Sequence, residues 1–305
     1  MSLFNAYMAL SGAYDAEIIK DERLSRRTSL RVGGPAALVA KVHSYPSLAR
    51  VLTTLQEESV PWVVLGKGTN IIAADGGYDG CVLLLGREFS RIAVDEEASV
   101  MHVGAGALTA QAVNVALQCE LSGIEMLAGI PGTLGGAVSQ NAGSRHQWIG
   151  SCVRGVVCHV PGQGLCRLDG HDIEWGYRTS SIPATSILLE VELALDPSTK
   201  AQVSERIDRR LYRRKMQQPM GVATCGGIFC DTAHDSAANL IGRAGLKGKR
   251  FGAALISEAY PNHIVNEGGA SAQDVLRLID EMQTQVKEGS GVTLRPQVKF
   301  LGFSS

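Results

Sequence analysis

"GIPGTLGGAVSQNAG", residues 129–143, places five glycines in fifteen residues between two apolar segments. Glycine loses more conformational freedom on folding than any other residue. A cluster therefore answers a need for positive φ or for close approach of backbone to something else. Alone, the stretch fits a plain turn better than a ligand loop. A second loop sharpens the reading: "LGKGTN", Leu65–Asn70, ends an apolar run. Each loop can present several backbone N–H groups at short range, which suits the oxygens of a pyrophosphate. Neither has the spacing G-x-x-x-x-G-K-[ST] or opens a helix with G-x-G-x-x-G, so P-loop and Rossmann-type nicotinamide binding are not indicated. Two separate loops point to a larger dinucleotide held between subdomains.

The flanking segments alternate strand and helix patterns. "RTSLRVGGPAALVAKV" passes through a Gly-Gly turn into a strand over Ala37–Val42. Ser44 and Pro46 then open a helix in which Leu48, Val51, Leu52 and Leu55 recur at helical spacing. "WVVL" leads into the first glycine loop and "CVLLL" follows it, giving a βαβ unit with the loop at a strand's carboxyl end. Residues 91–104 read as two short strands about an acidic turn at Asp95–Glu97, and "LTAQAVNVALQCELSG" as a helix. Residues 151–195 alternate short apolar runs with turn residues, a β-rich pattern. "SERIDRRLYRRKMQQP" is basic at helical spacing; its five arginines and one lysine fit a solvated face or a face turned to an anion. "SAQDVLRLIDEMQTQVKE" is a helix opened by Ser271, with Asp274 at capping-box spacing, and "VTLRPQVKFLG" is expected as a closing strand. The composition changes near residues 196–204, where a domain boundary is expected.

A chain of 305 residues suggests two domains or one large one. A net charge of −1 gives no reason to expect a nucleic-acid or membrane-surface partner. The seven cysteines are scattered, odd in number and without a C-x-x-C pair, so neither a disulfide framework nor a metal site is expected. "MSLFNAYMAL" lacks the basic flank of a signal peptide, and no apolar run reaches the roughly 18 residues of a membrane span. A cytoplasmic monomer is the expectation.

Five ordered motifs then give a resemblance. "TSLRVGGPA", "LGKGTNII", "GIEMLAGIPGTLGGAVSQNAG", "YRTS" and "AGLKGKRFG…ISEAYPNHIVN" resemble the UDP-N-acetylenolpyruvoylglucosamine reductase family, shorter subtype, from about Arg27 to Gly302. The resemblance implies an α+β fold: an FAD-binding domain of the vanillyl-alcohol-oxidase (PCMH) type over 27–198 and a smaller α/β substrate domain over 199–305, after a lead at 1–26. It also implies FAD as cofactor, NADPH as hydride donor, and a sugar-nucleotide substrate converted to UDP-N-acetylmuramate for peptidoglycan. Gly66, Lys67, Gly68, Thr69, Asn70, Gly132, Thr133, Gly135 and Gly136 are the expected flavin residues, Thr69 standing where the family has serine. Tyr177, Arg214, Lys215, Glu258 and Asn266 are expected on the substrate side.

The chemistry needs a cation against a developing enolate and a positioned acid. Arg178, within "YRTS", matches the family's arginine and suits a carboxylate with its planar fork. The other two positions differ. "CGGIFCDT" occupies the place of the family's "AGSxFKNP", which puts Gly227 where the acid serine belongs. "LRPQV" stands for "LEPEV", which puts Gln297 at the glutamate. Glycine has no side-chain proton, and a neutral amide does not titrate near neutrality. Cys225 is one substitute donor to weigh, against a role as small buried filler. His263 is expected to be structural. The alternatives are a divergent flavoenzyme acting on another substrate and a non-catalytic flavin- or nucleotide-binding protein.

Overall fold

Strand Pro35–Val42 lies inside a four-stranded sheet in the computed structural model, which describes residues 2–144 and 146–303. It pairs parallel with Tyr78–Leu85 and antiparallel with Ala16–Arg23, and Trp62–Val64 adds a parallel edge beyond Tyr78–Leu85. Helices α1 (Leu3–Leu10) and α2 (Tyr45–Glu57) cover this sheet, burying Leu10, Leu48, Val51 and Leu55 with Leu38, Ala40 and Leu83. The reciprocal Ser44–Ser47 cap and a proline in the first turn start α2 where the sequence indicates. Residues 3–23, within the expected lead, hold α1 and the edge strand. The polar look of that strand follows from its place at the edge, where no residue is fully buried.

A second, antiparallel sheet has the order Gly164–Asp169, Val153–Val160, Ile187–Ala194, Val100–Gly104, Ile92–Asp95. Helices α3 (Thr109–Gln118) and α4 (Leu134–Ser139) close its core, bringing Ala112, Leu134 and Val138 onto Met101, Val156, Val191 and Leu193. The second half of the opening glycine cluster is α4, N-capped by Thr133 through Gly136 N.

The basic stretch forms α5 (Lys200–Gln217), followed by α6 (Ala237–Arg243), a three-stranded antiparallel sheet of Arg250–Phe251, Ala254–Ile256 and Ile264–Asn266, and α7 (Ala272–Ser290). The Ser271–Asp274 capping box starts α7, and Val275, Leu278, Ile279, Met282 and Val286 fill a core with Phe229, Ile256 and Ile264. The closing strand is shorter than the sequence suggests, because only Lys299–Leu301 pairs, parallel with Ile71–Ala73. Pro296 has no N–H to extend a ladder. The residues on either side of it pair irregularly with 228–230 instead, through Gln297 N to Ile228 O and Cys230 N to Arg295 O, both 2.9 Å.

This C-terminal part is stitched to the first sheet at several points. Leu30, Val32 and Ile72 belong to its core, and the Asp75 carboxylate accepts from Ala272 N at 2.8 Å and Gln273 N at 3.1 Å at the start of α7. Among the described residues no helix is long and apolar enough to cross a membrane, and no group of three or more metal-ligating side chains gathers.

Candidate active site

The two glycine loops meet. Thr69 Oγ1 donates to Pro131 O at 3.1 Å, and a Cβ on Gly66 would stand 2.5 Å from Thr133 Oγ1, so only glycine permits that approach. Between them opens a cleft of about 1140 Å³, lined by Gly66, Lys67, Thr69, Gly132, Thr133, Gly135 and Gly136 among others. Its walls are apolar at Val64, Leu85, Ile130 and Leu188, with Arg27 and Lys67 contributing positive charge. A cleft with a glycine cradle, cationic side chains and apolar flanks fits FAD, whose ring is apolar and whose diphosphate is anionic.

Two of the nine expected flavin positions do not line this cleft. Gly68, at φ +59°, turns the loop back onto Arg27 and Thr28, and its carbonyl accepts from Ser29 N at 3.1 Å. Asn70 faces the C-terminal segment: its Nδ2 donates to Gln297 O at 3.0 Å, and its carbonyl accepts from Lys299 N at 2.9 Å. Gly135 lines the cleft through its missing side chain and not through its amide, because its N–H is bonded to Ala105 O at 2.8 Å. A Cβ there would come 2.9 Å from Ala105 Cβ.

A second cleft, of about 480 Å³, lies between the antiparallel-sheet part and the C-terminal part, lined by Asn141, Trp175, Tyr177, Arg178, Asp231 and Thr232 among others. Arg178 sits at φ +60°, a conformation unfavourable to any residue with a Cβ, and stacks over the Tyr177 ring at 5.8 Å. Its Nε is buried with no partner among the described residues. Tyr177 Oη accepts from Asp231 N at 3.4 Å, which draws the segment after Gly227 toward the arginine.

Gly227 and Gln297, separated by seventy residues in sequence, touch. Gln297 Nε2 donates to Gly227 O at 2.7 Å, and a Cβ on Gly227 would meet that same nitrogen at 2.8 Å. Gln297 Oε1 is buried without a partner among the described residues. Asn70 holds the Gln297 backbone, so this pair hangs directly on the first glycine loop.

The remaining positions divide. Burial holds the Arg214 guanidinium down to about 10, with Arg178 and Arg210 adding repulsion. Its fork is engaged by backbone, Nε to Ala128 O at 2.8 Å and Nη2 to Met126 O at 3.3 Å. Lys215 is exposed, and its carbonyl accepts from Tyr260 Oη at 3.1 Å. Neither Glu258 nor Asn266 lines either cleft. Glu258 is exposed beside Gly248. Buried Asn266 is fully engaged in structure, donating to Leu30 O at 2.9 Å and accepting from Gly268 N at 2.9 Å and Ala270 N at 3.1 Å.

Cys225 is 1% exposed in the C-terminal core, and burial pushes its thiol up to about 12; it has no route to a reacting carbon near neutrality. Desolvation lowers His263 to about 4, so it is neutral, as a structural histidine should be. Sequence reasoning did not single out Arg210, whose Nη2 donates to Gln147 Oε1 at 2.6 Å beside the second cleft. Its signal was available, since it lies four residues before Arg214 on one helix face.

Two parts of the chain match known families. Residues 36–160 match an FAD-binding domain family and residues 218–301 match the family "UDP-N-acetylenolpyruvoylglucosamine reductase, C-terminal domain". The fold and the glycine-lined cleft thus define a flavoprotein oxidoreductase with a PCMH-type domain. Proteins named UDP-N-acetylenolpyruvoylglucosamine reductase from Anaeromyxobacter sp. and, as number 2, from Symbiobacterium thermophilum are 39% and 38% identical. They cover 94% and 93% of this chain and 89% and 92% of their own lengths. The crystal structure of the reductase from Thermus caldophilus superposes with a TM-score of 0.80 at 32% identity, covering 94% of this chain and 98% of that one. The chain belongs to the UDP-N-acetylenolpyruvoylglucosamine reductase family.

Proposed function

We propose that this protein reduces UDP-N-acetylenolpyruvoylglucosamine to UDP-N-acetylmuramate with electrons from NADPH, as a cytoplasmic monomer, in the synthesis of the cell wall that sets cell shape. Bound FAD would supply hydride transfer, and the glycine loops with Lys67 would hold it. The observation that favours this reading is Arg178 in the second cleft, whose other wall is the segment that follows Gly227, at Asp231 and Thr232, although Gly227 and Gln297 themselves line neither cleft. Arg178, with a buried Nε that lacks a partner among the described residues, is suited to the substrate carboxylate and to charge that develops on it. Lys215, exposed on α5 beside the Arg214 and Arg210 cations, would face the diphosphate.

Neither Gly227 nor Gln297 can supply the proton that the second carbon requires. Gln297 Nε2 is fixed by the Gly227 carbonyl, so Oε1 is left as an acceptor. The proton would then come from water in the cleft and not from a side chain at either position. Because a positioned acid contributes roughly 10²–10⁴-fold, turnover on this route is slow. The test is substrate-dependent NADPH oxidation by the FAD-loaded protein, with the product weighed by mass spectrometry. Formation of UDP-N-acetylmuramate supports the reading; flavin and sugar nucleotide bound without product favours a binding protein instead.

A further inference from the structure

Cys158 and Cys166 stand directly opposite each other in the antiparallel ladder between Val153–Val160 and Gly164–Asp169. No other two cysteines are opposed in a ladder among the described residues, and both are free thiols in the structure. Directly opposed residues share one face, with Cα atoms about 4.5–5.5 Å and Cβ atoms about 4.5–5.5 Å apart. A disulfide takes Cα separations of about 4.4–6.8 Å and Cβ separations of about 3.5–4.5 Å, so a small closing movement is enough. That movement is available, because Gly164–Asp169 is the outer edge of its sheet and Gly162 and Gly164 loosen the hairpin at φ +79° and +83°.

The two thiols differ in a useful way. Cys158 is fully buried, whereas Cys166 is partly exposed on the edge strand. On its other side Cys158 is opposite Leu188, which lines the flavin cleft, and Pro161 at the hairpin tip lines it too. The row Cys166, Cys158, Leu188 thus runs from the sheet edge to the cleft wall. The residues expected to act on flavin or substrate make no use of this pair.

We infer that Cys158 and Cys166 are an oxidation site that closes reversibly into a cross-strand disulfide, one strand from the flavin cleft. The oxidant is a small-molecule disulfide. Cys166 thiolate attacks one of its sulfurs and releases one thiol. Cys158 then displaces the second thiol, forming the protein S–S bond. The two protein thiols are oxidised, and the oxidant is reduced to two thiols that take up both protons. A disulfide of this kind in a reducing compartment is transient and reports redox state. Its effect on FAD affinity, which alone rests on the flavin assignment above, follows from the displacement of Leu188 and Pro161.

The test is incubation of the full chain with glutathione disulfide. The expected result is loss of two of the seven titratable thiols, a mass lower by two hydrogens, a peptide linking the two strands, and full reversal by dithiothreitol. Cys166→Ser loses no thiol to such a bond. An unchanged thiol count, or a glutathione adduct that persists on Cys166, overturns the site. These mass readouts hold whether or not FAD binds, so they fail independently of the proposed reductase. Oxidised protein is expected to differ from reduced protein by at least about fivefold in FAD dissociation constant, the low end of ordinary coupling between sites. Equal constants overturn the link to the cleft.

Discussion

Arg178 combines an awkward backbone with a buried Nε that has no hydrogen-bond partner among the described residues. At φ +60° its Cβ crowds the following carbonyl, at a cost of roughly 1–2 kcal/mol. Removing the side chain removes that crowding, so Arg178→Gly is expected to melt no lower than the parent while turnover falls by about 10² or more. Calorimetry and NADPH assays on the same sample check both halves; a lower melting point with unchanged turnover refutes the role. Gly227 poses the opposite problem. A serine there puts Cβ 2.8 Å from Gln297 Nε2 and must displace the amide that bonds the Gly227 carbonyl. Gly227→Ser and Gln297→Glu should each destabilise alone, the second by about 1–3 kcal/mol for a lost buried bond. Together they should recover part of the loss, with a coupling of about 0.5–3 kcal/mol in a urea-denaturation cycle.

Among the elements, the segment around Ile264–Asn266 separates structural from substrate roles. Asn266 has both ends of its amide engaged by backbone, one of them from the loop at Leu30, so Asn266→Ala is expected to cost about 1–3 kcal/mol while leaving KM for the sugar nucleotide unchanged. A raised KM without loss of stability would return Asn266 to the substrate side. On the same segment, His263 is neutral in the fold because burial lowers it to about 4, against 6.5 when unfolded. Between those values the unfolded chain binds the extra proton, so the histidine's contribution is complete above about pH 6.5 and declines as pH falls toward 4. It amounts to about 3 kcal/mol. In His263→Phe the difference in stability from the parent should therefore change across that window and level off on either side, as read by urea melts at several pH values. The βαβ unit and α7 were legible because period and caps agreed in each, and α5 by the spacing of its basic residues, although it begins at Lys200, earlier than that spacing indicates. The strand Ala16–Arg23 was not, because an edge strand needs little apolar alternation. The closing strand was overread because Pro296 interrupts pairing that its neighbours otherwise favour.

Across the whole molecule, the glycine-lined cleft was more legible than the contacts around it. Glycine loops advertise themselves by their entropic cost, and seven of nine expected positions line the cleft. That Asn70 grips the Gln297 backbone, or that Gln297 fills the space over Gly227, depends on pairings across more than two hundred and seventy residues respectively, which no local pattern encodes. These contacts join the glycine loop, the altered acid position and the altered glutamate position into one connected unit. On the proposed reading, this family scaffold would hold flavin and substrate while proton delivery is left to water. A single turnover tests it most directly. The FAD-loaded protein is reduced without oxygen, UDP-N-acetylenolpyruvoylglucosamine is added, and flavin absorbance is followed together with product mass. The expected result is slow but complete reoxidation with stoichiometric UDP-N-acetylmuramate. Flavin that stays reduced with the sugar nucleotide bound would contradict it.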